Sequence, residues 1–177
     1  MARPTIRSKA LSTSRNTRQR PQSHSHYGQS YNGTQEFVCM HCGLYVGFDP
    51  LFAGVQNRNH CPYCLWSRHL DWRTSGDRLS NCRAAMEPVG LSTKRGRNKY
   101  ARERDGELMI VHRCSCCGEL VANRVAADDS VDEILALFER SCAGAPHARA
   151  DEAGIAMLGP DDRGLVRRRL LGGVAAD

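Results

Sequence analysis

The sequence predicts a small, mainly β domain held by clustered cysteines more than by a large apolar core. Three observations carry this. Six of the nine cysteines fall into pairs with a two-residue spacer, Cys39/Cys42, Cys61/Cys64 and Cys114/Cys117. Aromatic residues make up only 6% of 177, and much of the remaining apolar content is alanine, so the interior that can be built is modest. From Glu36 to about Arg124 the chain reads as short strands and turns, with no amphipathic run of helix length.

The elements follow in order. Residues 1–35 carry six Lys or Arg and no acid, with almost no aliphatic periodicity, which predicts a disordered basic arm. "EFVC" and "LYVGF" form a hairpin around the first cysteine pair, with Gly43 positioned for the left-handed residue that lets the chain reverse. "MEPVGLS" and "ELMIVHRC" read as a second pair of strands, and Asp105-Gly106 marks the turn into the later one. The folded part spans 36–129. One helix is then expected over 130–143, where Ser130 and Glu133 stand at capping-box spacing and Val131, Ile134, Leu135, Phe138 and Cys142 make an apolar stripe. Cys142 is thus a core thiol. Residues 144–177 read as a loosely ordered extension with one candidate short helix near "DDRGLVRRRLL".

No apolar run reaches signal-peptide or membrane-span length, so the chain is read as cytoplasmic, where thiols stay reduced and close pairs bind metal more often than they form disulfides. Cys39-x2-Cys42 and Cys61-x2-Cys64 supply the four ligands of a tetrahedral zinc ion, and Pro62 fixes the second turn. A second site gathers Cys82, Cys114 and Cys117, while Cys116 points away. Its fourth ligand is open. His112, two residues before Cys114 on the same strand face, is favoured, with His69 and Asp77 as competitors. About two zinc ions per chain are expected.

With these motifs in place, "CMHCG", "RNHCPYCLWSRHLD", "GDRLSNC", "MEPVG", "VHRCSCCGEL" and "NRVAADD" together resemble the RNHCP family of small zinc-binding proteins, over about Phe37 to Asp129. Where the family pattern tends to place glycines after the cysteine of "GDRLSNC", this chain has Arg83-Ala84-Ala85. The resemblance implies a bacterial cytosolic zinc protein and no defined activity.

A zinc ion closed by four thiolates has no open position for water, so the first site does not run hydrolysis. Asn59, His60, His69 and Asp71 then read as polar support around the metal, with Asn59 and His60 serving the sulfurs or the turn and His69 pairing with Asp71. Trp66 is a core anchor. The leading expectation is a non-enzymatic nucleic-acid-binding module, RNA or the ribosome favoured, contacting phosphates through Arg15, Arg18 and Arg20 of the arm. A hairpin loop carrying Lys94, Arg95, Arg97, Lys99, Tyr100, Arg102 and Arg104 would supply the rest. The alternatives are a zinc-stabilised protein adaptor and, third, a metal-dependent nuclease built around the Asn and His of the knuckle. Oligomeric state is not legible.

Overall fold

In the computed structural model, residues 36–74, 76–94, 106–144 and 148–172 are described. The first cysteine pair lies between β1 (Phe37–Val38) and β2 (Tyr45–Val46), which pair antiparallel as a two-stranded sheet. A short helix, α1 (Pro50–Ala53), follows. Asp49 caps it by accepting from the Leu51 amide, Pro50 opens it, and Gly54 at φ 66° ends it.

The main sheet is antiparallel, in the order β3 (Ser67–Arg68), β4 (Ala85–Lys94), β5 (Glu107–Cys114) and β6 (Leu120–Arg124). β4 and β5 pair from Met86↔Cys114 to Lys94↔Glu107, with a register shift between Pro88 and Gly90. Proline has no amide to give to the ladder, and the bulge beside it absorbs the missing bond. Leu108 and Ile110 point to one face of β5 and meet Leu91 of β4, Leu65, and Ile134, Leu137 and Phe138 of α2 (Val131–Ala143). All eight members of this cluster are buried, Val166 included. The helix starts where the sequence predicts, with Ser130 Oγ accepting from the Glu133 amide at 3.3 Å. Its buried stripe is Ile134, Leu137 and Phe138, with Leu135 and Cys142 packed at the margin.

Within the carboxy-terminal extension, residues 148–172 contain α3 (Ala148–Glu152), a 3₁₀ turn at Pro160–Asp162 and, at the candidate helix near "DDRGLVRRRLL", α4 (Arg163–Leu171). Three features tie them down. Ser92 Oγ donates to the Ala156 carbonyl at 2.7 Å, the Leu158 amide donates to the Leu91 carbonyl at 2.8 Å, and Val166 is fully buried in the core. A short helix needs tertiary packing to persist, and one buried valine flanked by Leu158 and Leu170 provides it here. Among the described residues no helix is long and apolar enough to cross a membrane. The arm with Arg15, Arg18 and Arg20, and the loop with Arg95, Arg97, Lys99, Tyr100, Arg102 and Arg104, lie outside the described residues.

Candidate metal centres

Three x2-spaced pairs fold into the same local shape. In each, the amide of the first cysteine donates to the carbonyl five residues on: Cys39 to Leu44 at 2.9 Å, Cys61 to Trp66 at 2.9 Å, Cys114 to Glu119 at 2.9 Å. The residue after the second cysteine returns a bond to the first cysteine's carbonyl: Gly43 at 2.9 Å, Leu65 at 2.8 Å, Gly118 at 3.1 Å. That residue is left-handed every time, at φ 74°, 62° and 74°. The turn also aims the next amide back at sulfur, so Cys42 is stabilised as thiolate by the Leu44 amide and its pKa is lowered. Cys82, outside any pair, repeats the ending with Arg83 at φ 53° and an Ala84 amide facing its sulfur.

Leucine and arginine are costly at positive φ. Leu65 is held there because its side chain is only 1% exposed, locked among Leu91, Ile110 and Phe138. Arg83 is exposed, and its guanidinium donates to the Arg78 carbonyl at 3.0 Å.

Cys39, Cys42, Cys61 and Cys64 converge as one group, with donor atoms all within 4.8 Å of one another. Val46, Phe37 and Trp66 pack beneath it, and the His41 ring stacks on Trp66 at 4.1 Å and 5°, clamping one knuckle to the other. The second group is His69, Cys82, Cys114 and Cys117. It corrects the expected fourth ligand. His112 is fully buried, its Nε2 donating to the Leu65 carbonyl at 2.7 Å and its Nδ1 facing Asn123 Nδ2 at 3.0 Å. Both ring nitrogens are therefore spent on the neutral tautomer, in keeping with burial pulling the His112 pKa down to about 3. It shares a strand face with Cys114, but that face at His112 looks into the core.

His69 reaches the second group because the chain after β3 keeps company with the chain before β4. Its amide donates to the Ala84 carbonyl at 2.9 Å, and the Arg83 amide donates to the His69 carbonyl at 3.2 Å, which seats the imidazole beside Cys82. Nδ1 lies 3.4 Å from Cys117 Sγ. On the other side Nε2 lies 3.2 Å from Glu119 Oε2, away from the N–H direction, so the contact is electrostatic and needs only a turn of that half-exposed carboxylate to become a hydrogen bond. Asp77, the other competitor, instead accepts the amides of Trp72, Arg73, Thr74 and Leu79, which hold its carboxyl well below the usual range.

The donor sets fit zinc. Bonds of 2.3 Å in a tetrahedron put sulfurs ~3.8 Å apart, and a sulfur and a nitrogen ~3.6 Å apart. Cys39–Cys64 is 3.6 Å, Cys42–Cys61 3.7 Å, Cys82–Cys114 3.5 Å and Cys117–His69 3.4 Å. A disulfide needs about 2.05 Å. Burial pushes the Cys61 thiol up to about 11 and the Cys82 thiol up to about 12, and raises Cys64 as well; a cation held among them would favour the thiolates. Cys114, like Cys42, goes the other way: burial raises it, but the amides of Cys117 and Cys116 together with the His69 and Cys117 side chains outweigh that and bring it to about 6. Cys116 is exposed and belongs to neither group. When bound, zinc would cross-link remote segments, with Cys39, Cys42, Cys61 and Cys64 holding one ion and His69, Cys82, Cys114 and Cys117 the other.

The polar residues of the dense stretch go elsewhere than expected. Asn59 Nδ2 donates to Asp71 Oδ2 at 2.9 Å, and Arg78 donates to Asn59 Oδ1. Asp71 takes the amides of Gly76 and Arg78, at 2.8 and 3.1 Å, and is not paired with His69. His60 Nε2 donates to Asp129 Oδ2 at 2.8 Å, and Arg58, also buried, contacts Asp128 and Asp129. Sequence reasoning assigned no role to Arg58, Arg78, Asp128, Asp129 or Glu119. The "NRVAADD" block was visible, but only the fold shows that its aspartates meet Arg58 and His60.

The model of the RNHCP domain family matches residues 34–135, more than half of the chain, a span that contains every residue of both groups. Neither the curated proteins nor the solved structures contain a match. With two metal-binding groups set into the segment this match covers, the chain belongs to the RNHCP domain family.

Proposed function

We propose that the protein is a non-enzymatic, zinc-stabilised nucleic-acid-binding module of the cytoplasm, with RNA or the ribosome as its target. The feature that carries the reading is the charge of the sequence between β4 and β5. These strands pair as far as Lys94↔Glu107, and the sequence that joins them holds Arg95, Arg97, Lys99, Arg102 and Arg104 with Tyr100 among them. Clustered cations neutralise phosphates, and an aromatic among them offers a stacking face. The arm at residues 1–35 adds six more cations.

The non-enzymatic part is supported by where the polar groups are spent. His60 is 2% exposed and bound to Asp129, and Asn59 is engaged by Asp71 and Arg78, so neither is free to meet a substrate. Zinc-loaded protein should bind structured RNA with an affinity that falls steeply with salt, and should lose affinity when residues 1–35 are deleted or Arg97, Lys99 and Arg102 are replaced by Gln. Salt-independent binding would sink this reading. It would favour a protein adaptor, which has its own support in the exposed Met40, Tyr45, Leu51 and Phe52 on and after the first knuckle hairpin.

A further inference from the structure

The connection between β3 and β4 holds an indole at the surface on a backbone fixed from within. Asp77 Oδ1 accepts the amides of Trp72 and Leu79 at 2.9 and 3.1 Å, and its Oδ2 those of Arg73 and Thr74 at 3.0 Å each. Asp71 accepts the amides of Gly76 and Arg78 and the side chain of Asn59. Both acids of this connection therefore spend their oxygens on neighbouring N–H groups. What faces outward is apolar and cationic. Trp72 is 54% exposed, unlike Trp66, which packs against the first metal group, and Leu79 is exposed beside it, its amide sharing Asp77 Oδ1 with the amide of Trp72. The Arg73 guanidinium lies over the Trp72 ring, 4.3 Å from its centroid. Arg83, also exposed, donates at 3.0 Å to the Arg78 carbonyl, on the peptide that leads into Leu79. Among the described residues no carboxylate pairs with Arg73 or Arg83.

We infer that Trp72 is a stacking site for an unpaired base of a single-stranded nucleic acid, with Arg73 and Arg83 donating to the phosphates next to that base. This rests on the nucleic-acid reading given above. An indole face accepts any base, so the site is indifferent to sequence. The N–H donors of a guanidinium lie in its plane, so an arginine stacked over an aromatic ring keeps them for phosphate oxygens. The amide bonds to Asp71 and Asp77 order the backbone before a ligand arrives, which lowers the entropy cost of binding. The competing explanation is that the Arg73–Trp72 pair only steadies the turn, which would change stability and leave binding alone.

The test titrates full-length, zinc-loaded protein with a single-stranded oligoadenylate and with a blunt RNA duplex, reading tryptophan fluorescence and the anisotropy of the labelled RNA at several salt concentrations. Wild type is compared with Trp72→Phe, Trp72→Ala and Arg73→Gln, and circular dichroism and zinc content verify each fold. The single strand should quench wild-type fluorescence and the duplex should not, because its bases are already stacked. The quench should vanish in Trp72→Phe, which keeps a ring and should bind close to wild type. Trp72→Ala should bind the single strand roughly 5- to 150-fold more weakly, the range for one stacked base. Arg73→Gln should make the salt slope shallower by about 0.7. If the wild type binds RNA but Trp72→Ala binds the single strand equally well, the quench survives in Trp72→Phe, or duplex binding depends on Trp72 to the same degree, the stacking site is refuted and the nucleic-acid reading stands. Should Trp72→Ala lose its zinc or its spectrum, the Trp72→Phe quench and the Arg73→Gln slope decide. Absence of binding to either RNA by the wild type overturns both.

Discussion

Replacing Asp129 by alanine should be far more damaging than the same change at Asp128, its neighbour. Asp129 has no exposed side-chain surface and serves three partners: Oδ2 accepts from the Ala126 amide at 2.7 Å and from His60 Nε2 at 2.8 Å, and Oδ1 lies 3.4 Å from Arg58 Nη1. The Arg58 side chain is likewise 0% exposed. Removing one partner of a buried ion pair costs about 3–5 kcal/mol, because the remaining charge keeps its desolvation penalty without its counter-ion. The orphaned Ala126 and His60 donors cost about 1–3 kcal/mol each, less whatever relaxation recovers. A total of at least about 4 kcal/mol is a large part of the roughly 5–15 kcal/mol that holds a domain. Asp128 also contacts Arg58, but it is 39% exposed, so water screens it and its loss should cost under about 1 kcal/mol.

The assay is urea denaturation at a fixed excess of zinc, read by far-ultraviolet circular dichroism and tryptophan fluorescence, with Asp129→Asn as the shape-preserving control. Asn keeps an acceptor and loses the charge, so it should fall between wild type and alanine. If Asp128→Ala matched or exceeded Asp129→Ala, the buried guanidinium would be neutralised from the solvent side and the reasoning would be wrong.

The fourth ligand can be settled by zinc content per chain: His69→Cys should retain two ions, His69→Ala should fall toward one, and His112→Gln should still hold both. Arg83→Gly should raise stability by about 0.5–1 kcal/mol, since glycine relieves a left-handed residue whose side chain is exposed, whereas Leu65→Gly at the equivalent knuckle position should lower it by about 2 kcal/mol or more through the lost core packing; paired melting curves decide. Val166→Ala should cost about 2 kcal/mol in denaturant, and no effect would mean that α4 is not docked. His112 titrates near 3 in the fold and near 6.5 when unfolded, so the unfolded chain binds the extra proton and stability falls as pH drops below about 6.5. Between about pH 7.5 and pH 6 the loss should be roughly 0.8 kcal/mol, a slope that His112→Gln should flatten.

What the sequence disclosed follows from how local each feature is. The knuckles are set by residues within five positions of each other, so x2 spacing and the glycines at 43 and 118 were sufficient to place them. The cap at Ser130 is equally local, and β4 and β5, whose partners run from Lys94↔Glu107 to Met86↔Cys114, are legible because they are consecutive strands of one hairpin. The second metal group draws from residues 69, 82, 114 and 117, and its membership depends on the register of the chain between His69 and Ala84, which no spacing rule encodes. His112 has the right strand parity, but both of its ring nitrogens are taken inside the core, by the Leu65 carbonyl and by Asn123. α4 is legible as a candidate helix near "DDRGLVRRRLL", but its docking is not: four of its nine residues are arginine and its packing rests chiefly on Val166, so no amphipathic stripe points to the core.

These local and remote features meet in residues 58–71. Cys61 and Cys64 close the first metal group, and His69 closes the second. Between them, Ser67 and Arg68 form the edge strand against Met86 and Ala85, and the Leu65 carbonyl accepts from His112 in the centre of β5. Arg58 and His60 reach forward to the aspartates that precede α2, and the Pro62 carbonyl accepts from Ser130, the residue that caps that helix. One short segment therefore touches both metal groups, the main sheet and the start of the helix. The density of polar residues there is what such a junction requires. A segment that joins four units cannot bury a broad apolar face against any of them, so it holds each by directional bonds. A buried arginine and histidine that converge on Asp129 supply those bonds where a leucine could not.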